Sequence, residues 1–348
     1  EDRWRRGGSE ASRRPGVARM PPPPHSGDAD RAGTEGGDTR EALLQLCQAN
    51  GIKEEDLRRP ERVSHIEMVL DDYCCMKTLK HFTGLRSLCL IQQAISKIEG
   101  LESCRSLERL LLNENCIRTV EGLGACAGLK QLYLCANAIE ELGSGLEGLG
   151  ELEVLWVAEN RLSGLDGLAA APQLAELNAA RNAITSVVGA FSANPGLRSL
   201  NVADNRICSF REVLDLSALK GLRDLSFSDP DWGENPVCSL SNYQTYVLYH
   251  VPWLECHDRI RVSPEDRRGA EAAFAKKTLY YNTRVKLVSR QAADGLRAAR
   301  ALQEELGAAL ARNLEPAARL CKRAEAHAQE AGGVGGDGGG FALAHSGR

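Results

Sequence analysis

An α/β solenoid, in which every turn of the chain adds one short strand to a single parallel sheet, is the fold class that three observations predict. The first is a spacing. Leu107, Leu110, Leu112, Asn115, Ile117 and Val120 recur as Leu129, Leu132, Leu134, Asn137, Ile139 and Leu142, and again as Leu152, Leu155, Val157, Asn160, Leu162 and Leu165. The second is the period, 22 or 23 residues from one copy to the next. The third is the asparagine, which keeps its place in each copy where a chance run of leucines would not.

That arrangement is the leucine-rich repeat pattern. Counting back 22 residues from Leu85 finds a degenerate first copy in Val63, Ile66, Met68, Asp71, Tyr73, Met76 and Leu79. Clearer copies begin at Leu85, Leu107, Leu129, Leu152, Leu174, Leu197 and Leu222. About eight strands at roughly 4.8 Å give a concave sheet some 35 Å long, with the Leu, Ile and Val positions turned into one core. The asparagine column reads Gln93, Asn115, Asn137, Asn160, Asn182 and Asn205. It is expected to be structural, each amide satisfying backbone groups that the bend leaves unpaired and stacking on the next into a ladder. Gly100, Gly122 and Gly167 each precede a leucine where the chain turns and needs a backbone without a Cβ. Cys104 and Cys126 share one place in successive copies and read as stacked, buried small hydrophobes rather than a disulfide.

The flanks follow from composition. Residues 1–37 are Arg, Gly, Pro and Ser with almost nothing to bury, so a disordered tail is expected, the run Pro21 to Pro24 included. Residues 38–62 form a helical cap: Asp38 and Glu41 make a capping box, Leu43, Leu44 and Cys47 an apolar face, and Asn50-Gly51 the stop. Repeats fill 63–230, the pattern breaking at Asp229-Pro230. Asn235-Pro236-Val237-Cys238 then opens a different segment, a terminal cap over 231–262, because a solenoid must cover its last repeat. Residues 263–330 are helical, with Phe274, Tyr281, Val285, Val288, Ala292, Leu296, Ala299, Leu302, Leu306 and Leu310 at spacings mostly of three and four. The stripe describes one amphipathic helix or two in tandem, and so long a one either takes a partner helix along 264–313, as in a coiled coil, or frays in its outer turns, with Pro316 interrupting it. The Gly-rich segment 331–348 is expected to be unstructured.

Several function classes are excluded on this reading. A net charge of -4 and a pI near 6.1 argue against direct nucleic-acid binding. Twelve cysteines without a C-x-x-C pair, and no secretory apolar segment before the repeats, fit a reducing, cytoplasmic compartment better than a disulfide framework or a zinc site. No run approaches the roughly 20 apolar residues of a membrane span. The chain opens at Glu1, which makes Met20 an alternative start. An enzyme would need a nucleophile with a base, a metal set or a phosphate loop. His65, His81, His250 and His257 fall on different elements, and Gly332 to Gly336 lacks the Lys-Ser or Lys-Thr of a phosphate loop. No catalytic residue, metal or cofactor is therefore expected.

The informative place is the sheet. Within each copy the third, fifth, seventh and eighth places should point outward, and the fifth places read Glu67, Cys89, Leu111, Tyr133, Trp156, Asn178, Asn201 and Ser226. Leu111, Tyr133 and Trp156, with Val154, Arg109 and Glu114 beside them, have the composition of a binding hot spot. Beyond Trp156 the face turns acidic through Glu159, Glu176, Asp204, Asp224 and Asp229, so the expected protein partner has an apolar anchor at mid-sheet and basic groups toward the C-terminal end. Asn178 and Asn201 complete the expected contact set.

The Glu/Asp-Gly-Leu step at Gly100, Gly122 and Gly167 resembles the short repeat class of the Sds22-like phosphatase-1 regulators and the spliceosomal A' proteins, over about residues 63 to 260. The run from Asn235 through Tyr243 and His250 to Pro252, with Lys276, Lys277, Tyr280, Tyr281, Asn282 and Arg284 after it, resembles the amino-terminal array of the leucine-rich repeat-containing protein 9 family. These resemblances imply a non-enzymatic scaffold or adaptor, in cilia or axonemes; a phosphatase regulatory subunit and a ribonucleoprotein assembly factor are the alternatives they leave open.

Overall fold

The computed structural model describes residues 35–70 and 76–331. The readings placed on Pro21 to Pro24, Asp71, Tyr73 and Gly332 to Gly336 lie outside those residues. The chain divides into two units, Glu1–Arg267 and Arg268–Arg348.

The first unit is an α/β leucine-rich repeat solenoid. After helices α1 (Glu35–Ala49) and α2 (Glu54–Leu57) come eight strands, one per repeat: β1 (His65–Val69), β2 (Ser87–Ile91), β3 (Arg109–Leu111), β4 (Gln131–Tyr133), β5 (Val154–Trp156), β6 (Glu176–Asn178), β7 (Ser199–Asn201) and β8 (Asp224–Ser226). All pair in parallel with their sequence neighbours. The apolar places 1, 4 and 6 are buried, as in Leu107, Leu110 and Leu112. Most strands are only three residues long because the chain must leave the sheet almost at once. At place 8 of seven successive repeats Leu70, Gln92, Glu114, Ala136, Glu159, Arg181 and Asp204 all adopt a positive φ, between 52° and 62°. A side chain in that left-handed region costs roughly 1–2 kcal/mol, so each turn needs compensation.

The asparagines supply it. Asn137 donates to the carbonyls of Leu134 and Cys135 in its own turn at 3.0 and 3.3 Å, and to Leu112 in the turn before at 2.9 Å. Its Oδ1 accepts the Ile117 N–H at 3.0 Å. Asn115, Asn160, Asn182 and Asn205 repeat this set. The amides thus bond the backbones of two adjoining turns and not one another. Glycine serves the same close stacking: a Cβ on Gly122, where φ is +73°, would sit 2.4 Å from the Ile98 carbonyl oxygen. Cys104 and Cys126 are free thiols in the core, pushed up to about 11 and about 12 by burial.

At the N-terminal end the structure corrects the capping reading. Helix α1 starts at Glu35, so Asp38 lies inside it, and its buried side chains are Leu46 and Cys47 while Leu44 is 52% exposed. Asn50, read as a stop, also ties the cap to the sheet edge by accepting the Glu67 N–H at 2.8 Å. At the other end the segment opening at Asn235 is not a different one. Asn235 donates to Val202 and Phe227 and accepts from Ile207 N–H, which is the ladder set of the eighth repeat. It stands eight residues after Phe227, whereas Asn205 stands three after Val202, so five residues are inserted. With places 7 and 8 they form the hairpin β9 (Ser228–Asp229) and β10 (Gly233–Glu234).

Helix α3 (Arg211–Leu216) forms the return side of the seventh repeat; the cap then follows as α4 (Tyr243–His250) and β11 (Cys256–His257) added parallel to β8, with β12 (Ile260–Arg261) turning back antiparallel. Asp258 fastens it: Oδ1 accepts the N–H groups of Phe227 and Ser228 at 2.9 and 3.0 Å, and Oδ2 accepts the Tyr243 hydroxyl at 3.0 Å. The Tyr243 hydroxyl also lies 3.1 Å from His257 Nε2, and burial holds this imidazole below its ordinary pKa.

Helix α5 (Pro264–Ala331) is 68 residues long, about 100 Å at 1.5 Å per residue. Ser263 opens it with a reciprocal cap, its Oγ accepting Asp266 N–H at 3.1 Å and Asp266 Oδ2 accepting Ser263 N–H at 2.9 Å. In the second unit, contrary to expectation, the helix runs through Pro316, which removes one N–H from the ladder; the Glu315–Arg319 pair at 2.8 Å brackets that turn. Tyr281, Val285, Val288, Leu296, Leu302, Leu306 and Leu310 are exposed along it.

Candidate functional site

Because each strand pairs residue for residue with the next, a sequence column becomes a row across the sheet. The third places align as Ser87, Arg109, Gln131, Val154, Glu176, Ser199 and Asp224, and the fifth as Cys89, Leu111, Tyr133, Trp156, Asn178, Asn201 and Ser226. Tyr133 and Trp156 meet edge to face, with ring centroids 5.2 Å apart. Both are half-buried. The indole N–H of Trp156 donates to Glu176 Oε1 at 2.8 Å, and Arg109 Nε donates to Gln131 Oε1 at 2.7 Å. Leu111, in register with Tyr133, and Val154, two residues before Trp156 on β5, are also half-buried.

Toward the C-terminal repeats the sheet is different from expectation in two ways. The seventh places do not face outward: Ala158, Ala180 and Ala203 are wholly buried, with Trp232 of the inserted hairpin and Cys135 packed on them. From β3 onward the strands end at place 5, so alternation does not predict place 7 there, whereas β1 and β2 run on to place 7 and Val69 is exposed as alternation requires. The acidic gradient is largely compensated from within. Arg181 pairs with Glu159 at 2.6 Å and with Asp204 at 3.3 Å, its guanidinium 5.9 Å from the Trp232 ring centre. The bond to Glu159 is the main cause of its raised pKa. Asp229 is 3% exposed: it accepts from Asn201 Nδ2 at 3.0 Å and from Asp231 N–H, and faces Arg259 Nε at 3.7 Å. Asp224 keeps an exposed surface, while partial desolvation, and after it the Glu255 carboxylate, hold its pKa above the ordinary carboxylate value.

Asn178 and Asn201 use their Oδ1 atoms to accept the N–H groups of Ala180 and Ala203 at 3.2 and 3.0 Å. In the fifth row Cys89 and Ser226 are buried as well. The structure therefore gathers Arg109, Leu111, Glu114, Tyr133, Val154, Trp156 and Glu159 on the middle repeats, and separates from them Asn201 and Asp224, which adjoin the cap. Sequence reasoning missed the pairing of Arg181, the packing of Trp232 and the ladder role of Asn235. Arg181 was within reach, since it stands between Glu159 and Asp204 in the eighth-place column.

Among the described residues there is no group of three His, Cys, Asp or Glu side chains that could hold a metal ion, and no helix long and apolar enough to cross a membrane.

Comparison with known proteins finds no matching family model. Similar solved structures include the internalin InlF of Listeria monocytogenes, 20% identical over 60% of this chain and 58% of that one, with a TM-score of 0.48. This chain therefore spans little more than half of InlF. Internalin C2 of the same bacterium is 19% identical over 58% of this chain and 89% of its own, also with a TM-score of 0.48. A chain of the Drosophila melanogaster SNF/U2A' complex is 24% identical over 47% of this chain and 86% of that one, with a TM-score of 0.36.

Proposed function

We propose that the protein is a non-enzymatic scaffold that binds a protein partner on the open middle of its concave sheet. The observation that carries this reading is the Tyr133–Trp156 pair: two large rings, half-buried and in mutual contact, in register with Leu111 on a sheet whose other rows are mostly polar. Aromatic side chains ringed by polar ones are the usual anchors of an interface. The hydrogen bond from Trp156 to Glu176 holds the indole in place beforehand, so little ordering is lost when a partner arrives. Stacked repeats lend the same rigidity to the backbone, and their concave surfaces commonly bind partners.

The resemblance carried by residues 235–284 makes ciliated cells the place to look for that partner. The test replaces both rings, Tyr133→Ala with Trp156→Ala, in the full chain and compares its proximity-labelled neighbours with those of the parent, folding being checked by circular dichroism. Loss of a defined set of neighbours is the expected result. An unchanged set from a folded double variant refutes the reading.

A further inference from the structure

Building on the proposed protein-binding face, we infer that Ala136 marks the seat of an arginine from the bound polypeptide, its guanidinium between Glu114 and Glu159 and its stem along Tyr133 and Trp156. The protein carries a template for this arrangement one step further along. Arg181 occupies place 8 of its repeat, bonds the place-8 carboxylates on either side, Glu159 and Asp204, and lies over the aromatic ring of Trp232. Ala136 occupies the same place, with φ 56° against 52° for Arg181. It too has a place-8 carboxylate on each side, Glu114 and Glu159.

The geometry is held by the same bond in each of these four turns: the place-8 N–H donates to the place-7 carbonyl of the next repeat, at 2.8 Å from Glu114, 2.9 Å from Ala136, 3.0 Å from Glu159 and 2.8 Å from Arg181. Two turns of a parallel sheet separate Glu114 from Glu159 by roughly 10 Å, enough for a planar guanidinium to reach both. Three residues before Ala136 and Glu159, on the same two turns, stand Tyr133 and Trp156. Where Arg181 supplies its own cation, the middle of the sheet supplies a methyl group, two carboxylates and two rings. Glu159 already accepts one bond from Arg181 on Oε1 and Glu114 one from Gln92 Nε2 on Oε2, and a carboxylate has about four acceptor sites, so each can serve both. A fork of five donors fits this pair better than a lysine ammonium does.

The test selects binders to the full chain from a displayed library of random peptides, then measures them against Ala136→Arg, Glu114→Gln and the Tyr133→Ala/Trp156→Ala double variant. Ala136→Arg puts into this turn the side chain that Arg181 already holds in its own, so it should fold and melt no lower than the parent. Expected are arginine-containing peptides that lose about tenfold or more in affinity when that arginine becomes glutamine, and the same on Ala136→Arg and Glu114→Gln. Peptides that need Tyr133 and Trp156 but are indifferent to their arginines and to Glu114→Gln overturn the arginine seat and leave the binding face standing. Peptides indifferent to the two rings, or none enriched at all, overturn the binding face and the seat with it.

Discussion

The middle repeats and the C-terminal repeats of the sheet are built from the same parts and finished differently. Both have a left-handed residue at place 8, charged groups along that row and an aromatic side chain nearby. In the C-terminal third the chain closes these parts on themselves: Trp232 covers the alanine column, Arg181 links two carboxylates, and Asp229 joins Asn201 to Arg259. At mid-sheet the rings of Tyr133 and Trp156 keep an accessible surface, and the methyl side chain of Ala136 bridges no carboxylates. Binding and stability should therefore separate along the sheet, with substitutions in the closed third unfolding the protein and substitutions in the open third sparing it.

The sharpest way to break that contrast is Asn235→Ala. It strands the Ile207 N–H in the core, at about 1–3 kcal/mol for a buried unpaired group, and takes from the Val202 and Phe227 carbonyls one of the two bonds each accepts, so a loss of about 3 kcal/mol is expected in urea unfolding. Trp232→Ala comes next. Removing a partly buried indole should cost about 2 kcal/mol, less than the full-core value, and should speed amide exchange at Ala180 and Ala203 while leaving residues 107–142 unchanged.

Acid gives a third, smaller test. Burial lowers the His257 pKa in the folded state, so as pH falls the unfolded chain takes up this proton first. The stabilisation is complete above the unfolded value of about 6.5 and is lost as pH falls through it to the lower folded value. The stability difference between the parent and His257→Gln should accordingly narrow on acidification through that window. A difference that stays constant would mean that the imidazole does not titrate across folding. Smallest of all is the ring pair: a double-mutant cycle on Tyr133 and Trp156 should return a coupling of about 1 kcal/mol in unfolding, with neither single variant as damaging as Trp232→Ala.

What could be read from the sequence was whatever has to recur. Burial fixes leucines at places 1, 4 and 6, and the bend fixes an amide at place 9, so the strands, their order and the rows of residues across them follow from counting. Tyr133 and Trp156 could be put side by side for that reason alone. What escaped was set by contacts between unlike segments. Asn235 was hidden because five inserted residues move it off the period, although its bonds are those of Asn205. Place 7 was misread because strand alternation was carried past the last strand residue, where the chain already turns toward its left-handed place. The acidic gradient was overstated because Glu159, Asp204 and Asp229 were counted without Arg181 and Arg259, and Arg259 comes from the cap far along the chain. At Pro316 a local rule gave way, since a long helix can lose one hydrogen bond and continue.

The inserted hairpin also shows where this architecture tolerates novelty. Its two ends are pinned, Phe227 and Ser228 by Asp258 and Asn235 by its own N–H to the Phe227 carbonyl at 3.0 Å, while the amide of Asn235 still reaches the previous turn. Extra chain between place 6 and place 9 is thus expelled onto the concave side without disturbing the stack. The equivalent joint in any earlier turn, such as that between Leu134 and Asn137, is an address for grafting: a short foreign loop spliced there would be displayed over the sheet, on a framework whose register does not depend on what the loop contains.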